Sequence, residues 1–506
     1  MTFNLAMILR ESAKATPDKA VLLAQGLSMT YAQLDQQSTR LATGLQAAGL
    51  KRGDVVAVLL PNIAEFPIAY FGILKAGMTM MPLNPLLKAR EISYHLEDSG
   101  TRMVIASAMF LEEASKAAAS GEVPLVLVAV PGVQALEGVR QFTELLVDQS
   151  VDPVDGDIAP TNADDTAVLI YTSGTTGKAK GAELTHFQMY MGCSVSGEVF
   201  GMRRDDVVLA ALPFFHVFGL SAVVNTTIRY GASLSVLLKF EAKTVLDALE
   251  ADRVTIVPAV PTMLHALLVE GPAGRDLEAL RVAVVGGASM PGERMKAFEE
   301  MFGITVLEGY GLSETASVCS FNRSAVRRKV LSIGQPQWGV EMRIVDCEDR
   351  PLSAGPDNVG EIVVRGHNVM KGYVGRPKET AEVLRHGWFH TGDLGYVDHD
   401  GYYFVVDRMK DLIIRGGFNV YPREIEEVLY GHSAVAEVAV IGRPDERMGE
   451  EVIAVVALNP GVSVTAEAVI AYCREHLASY KCPREVRFME KLPVNATGKI
   501  VKAELR

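Results

Sequence analysis

The sequence predicts an α/β protein with a doubly wound, mostly parallel sheet, followed by a small α+β domain. Two observations lead to this prediction. From residue 55 onward, short apolar runs alternate with helical patterns, which is the β-α-β order of parallel sheets. After about residue 330 the pattern changes to glycine-punctuated strands with hairpin signals, and a new series begins near 407–411. We therefore expect two domains, residues 1–409 and 410–506.

The segments that make up this alternation follow one another in chain order. The first series of strands and helices reads VVAVLL, IAEFPIAYFGILKAG, MTMMPL, KAREISYHLEDSG, TRMVIA, FLEEASKAAAS and VPLVLVAV. The pattern resumes as TAVLIYT (166–172), VTIVPAV (254–260), LRVAVVGGA (280–288), a helix near 292–302 and ITVLEGYG (304–311). VGEIVVRG and YVDHDGYYFVVDR then predict hairpin strands, and PREIEEVLYG predicts a helix of the C-terminal domain.

Composition and charge narrow the functional classes. The 506 residues are 49% hydrophobic, and the net charge of −12 disfavours binding to nucleic acid or anionic lipid. Five scattered cysteines without a C-x-x-C pair indicate a reduced, cytoplasmic protein. The first twenty residues lack the order of a signal peptide and predict an amphipathic helix.

The uncharged stretch 207–228 is long enough to span a membrane, but it is interrupted by Pro213, His216, Gly219 and Asn225. We therefore interpret that stretch as buried core and expect no stable membrane insertion.

The stretch YTSGTTGKAKG (171–181) is a candidate phosphate-binding loop. It is not a Walker A loop, because Thr172 stands where that pattern requires glycine and Ala179 where it requires serine or threonine. A strand nevertheless leads into a loop of small residues, whose N–H groups and hydroxyls suit phosphate oxygens. EGYGLSE (308–314) also follows an apolar strand, but Glu314 occupies the place of the third glycine of a dinucleotide fingerprint. We therefore expect a nucleotide site without an NAD fold.

Six segments occur in a characteristic order. They are YTSGTTGKAKG, PFFHVFG, EGYGLSE, WFHTGD, DRMKDLIIRGG and NATGKI. This set resembles the adenylate-forming superfamily of acyl-CoA and aryl-CoA synthetases, peptide-synthetase adenylation domains and beetle luciferases. The resemblance implies a small β-barrel-like part in the N-terminal domain and a mobile C-terminal lid. It also implies that ATP, Mg²⁺ and coenzyme A are ligands, and it is compatible with a homodimer.

The implied reaction joins a carboxylate to AMP with release of pyrophosphate and then transfers the acyl group to a thiol. For the phosphates the resemblance implies Thr172, Ser173, Gly174, Thr175, Thr176, Gly177, Lys178 and Ser313, with Glu314 for Mg²⁺. For the nucleoside it implies Gly287, Ala288, Glu308, Gly309 and Tyr310 at adenine and Asp393 and Arg408 at ribose. Lys499 is the implied catalytic cation, Lys410 the hinge, and Arg415, Gly416 and Gly417 the walls of a pantetheine tunnel. A flexible point cation suits the charge that develops at the α-phosphate.

The resemblance places His216 at the carboxylate end of the acyl pocket. Val217, Phe218 and Ala222 predict an apolar pocket, so we expect a medium- or long-chain fatty acid, with an aryl acid such as a cinnamate as the alternative. No acid adjoins this segment to pair an α-ammonium, and Arg229 alone is weak support for a dicarboxylate. Three other functions stay open: transfer to a carrier protein, luciferase-like oxidation of the adenylate, and nucleotide binding without catalysis.

Overall fold

A computed structural model describes residues 2–24, 26–130, 138–147, 157–172, 178–272 and 274–506. The helices are α1 (Met7–Ala15), α2 (Tyr31–Ala47), α3 (Glu65–Lys75), α4 (Ala89–Ser99), α5 (Leu111–Ser120), α6 (His186–Phe200), α7 (Thr226–Tyr230), α8 (Ala242–Ala251), α9 (Pro261–Glu270), α10 (Gly292–Phe302), α11 (Pro377–Val383), α12 (Pro422–Tyr430) and α13 (Ala466–His476).

The strands of the N-terminal part are β1 (Ala20–Ala24), β2 (Leu27–Thr30), β3 (Val55–Leu59), β4 (Thr79–Pro82), β5 (Met103–Ser107), β6 (Leu125–Val128), β7 (Arg140–Gln141), β8 (Thr166–Thr172), β9 (Lys180–Thr185), β10 (Val207–Ala210), β11 (Ser233–Val236), β12 (Ile256–Ala259), β13 (Val282–Val285), β14 (Thr305–Tyr310), β15 (Ser320–Phe321) and β16 (Gln335–Pro336). They are followed by β17 (Val340–Val345), β18 (Gly360–Gly366), β19 (Gly372–Tyr373), β20 (Leu384–Arg385), β21 (Trp388–Val397), β22 (Tyr403–Arg408), β23 (Ile413–Arg415), β24 (Phe418–Val420), β25 (Val435–Asp445), β26 (Gly449–Leu458) and β27 (Glu485–Phe488).

Two large, mostly parallel sheets form the N-terminal part, which confirms the predicted α/β class. One has the strand order β19-β9-β8-β4-β3-β5-β6-β7 and the other β16-β15-β14-β13-β12-β10-β11-β1-β2. Central strands such as β4 and β5 are buried along their whole length, because helices cover both faces, and this explains their unbroken apolar sequences. The sequence analysis did not find the antiparallel strands β2, β9 and β15 at and near the sheet edges, nor β1, which joins the second sheet beside β11.

The uncharged stretch 207–228 lies in the core as predicted. It comprises β10, a loop and a buried π-helical segment, Phe218–Asn225, that runs into α7. Among the residues that the structure describes, no helix is both long and apolar enough to cross a membrane. The predicted amphipathic helix at the N-terminus is α1, and the helix predicted near 292–302 is α10.

Two smaller sheets follow, of which the first is antiparallel and the second is mixed, because β27 pairs with β26 in parallel. Strands β17, β18, β20, β21 and β22 form the third sheet, and the predicted HDG turn joins β21 to β22, with Gly401 at φ +79°. Strands β23 to β27 form the fourth sheet, which packs with α12 and α13 around a separate hydrophobic core that includes Ile413, Leu429 and Val456. The boundary between residues 409 and 410 stays a prediction. All five cysteines are free thiols.

Candidate active site

The candidate site lies where the two large sheets meet, at the carboxyl ends of their strands. Strand β8 of the first sheet ends at Thr172, and β14 of the second ends at Tyr310. The hydroxyl of Thr172 donates a hydrogen bond to Oε1 of Glu314 over 3.2 Å, which joins the two sheets at this edge. Ligands of open α/β sheets bind at such strand ends.

The predicted phosphate loop is only partly described. Ser173, Gly174, Thr175, Thr176 and Gly177 lie outside the described residues, whereas Thr172 and Lys178 at its ends are described. After the loop, the carbonyl oxygen of Ala179 accepts a hydrogen bond from the Tyr94 hydroxyl over 2.9 Å. The Lys178 ammonium lies 5.8 Å from the centroid of the same ring. Helix α4 therefore anchors the point at which the chain leaves the loop.

Glu314 is suited to bind a magnesium ion. It lies with Ser313 in a short 3-10 turn after β14, and its Oε1 accepts hydrogen bonds from Thr172 and, over 3.0 Å, from the Tyr373 hydroxyl. No hydrogen bond to Oε2 is formed within the described part of the chain, so that oxygen is available to a cation. The described residues contain no cluster of three or more acidic, histidine or cysteine side chains around a common point. A single carboxylate fits Mg²⁺, which is commonly bound by one or two carboxylates, substrate phosphates and water.

The predicted adenine residues come together at the ends of two adjacent strands. Gly287 and Ala288 follow β13, whereas Glu308, Gly309 and Tyr310 end β14, and Val285 of β13 is in register with Glu308. Gly287 adopts φ +79°, a left-handed conformation that favours glycine.

Glu308 is a buried carboxyl group with an unused hydrogen-bonding atom. Burial raises its pKa to about 8, so the group is largely protonated at neutral pH. Its Oε1 accepts a hydrogen bond from the N–H of Met290 over 3.3 Å, but its Oε2 has no partner in the described structure. A buried polar atom without a partner is costly, which is the behaviour expected of an atom that a bound ligand completes.

Asp393 and Arg408 are adjacent, as a shared ribose site requires. Asp393 on β21 is in register with Arg408 on β22, and its Oδ1 lies 3.3 Å from Nε of Arg408. Its Oδ2 accepts a hydrogen bond of 2.6 Å from the Tyr310 hydroxyl. This contact was missed by the sequence analysis, which assigned Tyr310 only to adenine. Burial and the Asp393 charge raise the pKa of Tyr310, so its hydroxyl stays protonated and donates.

Lys499 of the C-terminal part reaches the same site. It lies in a tight hairpin, in which Val494 pairs with Ile500 and the Lys499 N–H donates to Oδ1 of Asn495 over 2.9 Å. Burial lowers the pKa of Lys499 to about 8; the charge of Arg408 acts in the same direction and that of Asp393 opposes it.

His216 is close enough to Lys499 to be affected by its charge. Burial, assisted by the positive charge of Lys499, lowers the pKa of His216 to about 4, so the imidazole is neutral at physiological pH. The hairpin is docked by a hydrogen bond of 3.1 Å from the Thr262 hydroxyl to the carbonyl oxygen of Gly498. No local pattern marks Thr262 in the sequence, because its role depends on how the two parts of the chain pack together.

The predicted acyl residues follow His216 directly. Val217 and Ala222 are almost completely buried, whereas Phe218 is half-buried with its ring close to Gly286, where a Cβ atom would meet it at 3.4 Å. Every side chain of the π-helical segment is uncharged. Arg229, in contrast, is exposed, with its guanidinium 5.5 Å from the centroid of the Tyr190 ring.

The predicted hinge and the residues predicted for thiol transfer follow β22, and the charge of Lys410 also acts on Lys499. Lys410 lies in the turn Met409–Asp411, which leads into β23. Arg415 is buried at the end of β23, where its guanidinium pairs with Glu451 over 2.6 Å. Gly416 and Gly417 follow with φ +58° and +83°. Their predicted roles therefore require a different arrangement of the C-terminal part.

Comparison with known proteins identifies the family to which the chain belongs. The AMP-binding enzyme family model matches residues 9–374, and the AMP-binding enzyme C-terminal domain matches residues 424–499. The chain therefore belongs to the AMP-binding enzyme family, in the CoA-ligase branch of the adenylate-forming enzymes, and it is an acid-thiol ligase.

Three relatives illustrate the range of that branch. The chain is 38% identical to a feruloyl-CoA synthase from Amycolatopsis over 497 positions, which cover 98% of this chain and 96% of the relative. It is 36% identical to a long-chain-fatty-acid–CoA ligase from Bacillus subtilis over 535 positions, which cover 99% and 94%. Among solved structures, an anthranilate CoA ligase in complex with anthranoyl-AMP superposes with a TM-score of 0.91 at 28% identity, covering 100% of this chain and 96% of that chain.

Proposed function

We propose that this enzyme uses ATP to activate a carboxylic acid whose chain is uncharged and apolar, and transfers the acyl group from acyl-AMP to coenzyme A, with a medium- or long-chain fatty acid as the first candidate. The observation that carries the proposal is the arrangement of Lys499, His216 and Asp393. Lys499, a cation from the C-terminal part, is close enough to interact electrostatically both with Asp393, the predicted ribose carboxylate, and with His216 at the start of the predicted acyl pocket. This is the position that a group must occupy to stabilise an attack of the acid on the α-phosphate.

Each protein group has a defined task in the first half-reaction. Asp393, held by Tyr310 and Arg408, accepts hydrogen bonds from the ribose hydroxyls. The unpartnered Oε2 atom of Glu308 forms a hydrogen bond with the adenine ring. Glu314 would hold Mg²⁺, which neutralises phosphate charge when bound. Lys499 then holds the carboxylate and the α-phosphate together, while the neutral His216 closes the carboxylate end of the pocket without adding a second charge.

The surroundings of the acyl segment favour an uncharged substrate chain. A second carboxylate or an α-ammonium in the pocket would need a buried partner of opposite charge. Phe218–Asn225 supplies none, Arg229 points to the surface, and Asp206 is paired with Arg281 over 2.6 Å. Dicarboxylates and amino acids are therefore disfavoured as substrates.

An aryl acid is the second candidate. The alignment with the long-chain ligase spans 535 positions, more than the 506 residues of this chain, so that relative contains insertions that are absent here. The alignment with the feruloyl-CoA synthase needs only 497 positions. The Phe218 ring beside Gly286 also suits a planar substrate, because glycine leaves room for an aromatic face. A cytoplasmic location and a homodimer remain predictions.

The test is acid-dependent exchange of labelled pyrophosphate into ATP, which isolates adenylation from the thiol acceptor. The panel contains straight-chain fatty acids of increasing length, cinnamates, benzoates, dicarboxylates and amino acids. We expect exchange with fatty or aryl acids and at least tenfold less with dicarboxylates and amino acids. Exchange that is fastest with an amino acid or a dicarboxylate would contradict the proposed pocket.

The same reactions identify the acceptor. We expect acyl-CoA to appear on addition of coenzyme A, without light or oxygen uptake. If the adenylate forms but is transferred only to a phosphopantetheinylated carrier protein, then the adenylation mechanism stands and the proposed acceptor is wrong. Absence of exchange with every acid would instead favour nucleotide binding without catalysis.

A further inference from the structure

We propose that Tyr373 is a positioning residue that fixes the Glu314 carboxylate for Mg²⁺, an inference that rests on the proposed function. The sequence analysis assigned no role to Tyr373, which lies far along the chain from the EGYGLSE segment. The structure places its hydroxyl 3.0 Å from Oε1 of Glu314. Thr172 donates to the same oxygen over 3.2 Å. Both donors use Oε1, which orients the carboxylate and leaves Oε2 for the cation.

Tyr373 is itself held firmly in place. Its strand β19 pairs with β9, so that Tyr373 lies opposite Ala182. Its backbone N–H donates to Oγ1 of Thr380 over 2.9 Å, and the residue is only 9% exposed. The Lys180 ammonium lies 5.3 Å from the centroid of its ring. A tyrosine anchored at the backbone and the ring can hold a carboxylate in one orientation, because little rotamer freedom remains to it.

The same segment also holds the backbone of Glu314. The N–H of Met370 donates to the carbonyl oxygen of Glu314 over 2.7 Å, three residues before Tyr373. Residues 370–373 therefore bind Glu314 at its main chain and at its carboxylate. Burial and the Glu314 charge raise the pKa of Tyr373, so the hydroxyl remains a donor throughout the physiological range. Partners of metal ligands typically contribute 10- to 100-fold to metal affinity.

The test variant is Tyr373→Phe, which removes the hydroxyl and keeps the ring beside Lys180. We would titrate a non-hydrolysable ATP analogue into the protein by calorimetry, with EDTA and over a series of Mg²⁺ concentrations. We expect Tyr373→Phe to bind the metal-free analogue as tightly as the wild type does. Mg²⁺ should still strengthen binding, but the variant should need an Mg²⁺ concentration about tenfold higher for half of the maximal effect. A purely structural role would weaken binding with and without Mg²⁺ alike.

Tyr403→Phe is the matched control. Tyr403 is also buried, at 7% exposure, and its hydroxyl donates to the carbonyl oxygen of Met342 over 2.5 Å, within the third sheet. We expect this variant to keep the Mg²⁺ dependence of the wild type. A double-mutant cycle with Glu314→Gln completes the test, because Tyr373→Phe should have no further effect on Mg²⁺ dependence once the carboxylate is absent.

The outcomes separate this inference from the proposed function. If the wild type binds the analogue equally well with and without Mg²⁺, the metal role of Glu314 fails, and the role of Tyr373 fails with it. If the wild type and Tyr373→Phe show the same Mg²⁺ dependence while Glu314→Gln loses it, only the inference about Tyr373 is overturned. Equal loss of affinity with and without Mg²⁺ in Tyr373→Phe also overturns it.

Discussion

Lys499 and Arg415 belong to the same small C-terminal part of the chain but have opposite surroundings. Lys499 interacts electrostatically with His216 and Asp393 of the N-terminal part, and its hairpin is docked there by Thr262. Arg415 is bound by its own neighbours: its guanidinium pairs with Glu451 and donates to the carbonyl oxygen of Tyr480 over 2.9 Å. The loop of Lys499 is thus docked at the candidate nucleotide site, whereas the described contacts of Arg415 lie within the C-terminal part.

This difference matches the two halves of the proposed reaction. A cation at the α-phosphate is needed for adenylation, whereas a thiol must later approach the same mixed anhydride. The residues beside Arg415 also have an exposed apolar surface, with Ile414 53% and Phe418 57% exposed. Such a surface is typical of a face that docks elsewhere in another arrangement. We infer that the structure has the arrangement for the first half-reaction and that the small part must rotate for the second.

The largest predicted effect separates the two half-reactions. Lys499→Ala removes the cation from the adenylation site, so pyrophosphate exchange should fall by about 10²- to 10³-fold. Transfer to coenzyme A from chemically prepared acyl-AMP should change less than threefold, because Lys499 is not part of the proposed thiol site. The exposed Lys491 provides the control, and Lys491→Ala should resemble the wild type in both assays. Equal losses of rate in both half-reactions would contradict the proposed difference between the loops of Lys499 and Arg415.

A smaller effect is predicted from pH. The Lys499 pKa of about 8 means that the free enzyme carries the required cation below pH 8 and loses it above. The kcat/KM for ATP in adenylation should therefore be constant below about pH 7, fall to about half at pH 8 and be about tenfold lower at pH 9. Lys499→Arg should lose this decrease, because a guanidinium stays charged throughout.

Glu308 has a similar pKa and provides the control for the pH profile. Glu308→Gln removes the ionisable group at position 308. If the decrease of kcat/KM at high pH is caused by Lys499, it must persist in that variant. A decrease that persists in Lys499→Arg and disappears in Glu308→Gln would assign the ionisation to the adenine site. The charges of Arg408, Asp393, Lys410 and Asp411 also act on the pKa of Lys499.

The sequence allowed prediction of the elements that depend on local pattern. Apolar runs identified strands such as β13 and β14, and the loops that follow these strands contain the candidate nucleotide residues. The order of the six segments gave the enzyme class, which the comparisons confirm. The roles of Glu314, Asp393 and Lys499 were predicted from the resemblance and stay predictions.

What the sequence could not provide are contacts between distant segments. The hydrogen bonds from Tyr373 to Glu314 and from Tyr310 to Asp393 join residues that are 59 and 83 positions apart. Tyrosines are ordinary core residues, so nothing in their immediate neighbourhood marks them as partners of a carboxylate. Short strands at and near the sheet edges, such as β2 and β15, were missed for a similar reason, because two to four residues are too few to show a period.

The smallest predicted effect tests the other loop of the comparison. Gly417 has φ +83°, and a Cβ atom there would meet nothing within 4 Å in the present arrangement. Gly417→Ala should therefore leave pyrophosphate exchange unchanged. In the thiol-transfer arrangement the loop is proposed to line the pantetheine tunnel, where an added methyl group that costs about 1 kcal/mol would slow acyl transfer roughly fivefold.

Gly461→Ala is the matched control for the strain of a left-handed residue. Gly461 lies in the same C-terminal part, has φ +76° and also has open space where a Cβ atom would be. Both variants should lose similar stability, about 1 to 2 kcal/mol, because alanine is strained in this conformation. Only Gly417→Ala should slow transfer from prepared acyl-AMP to coenzyme A. If the two variants transfer the acyl group to coenzyme A equally fast, Gly417 does not approach the thiol. The role proposed for the loop of Gly417 would then be wrong, and only the role proposed for Lys499 would stand.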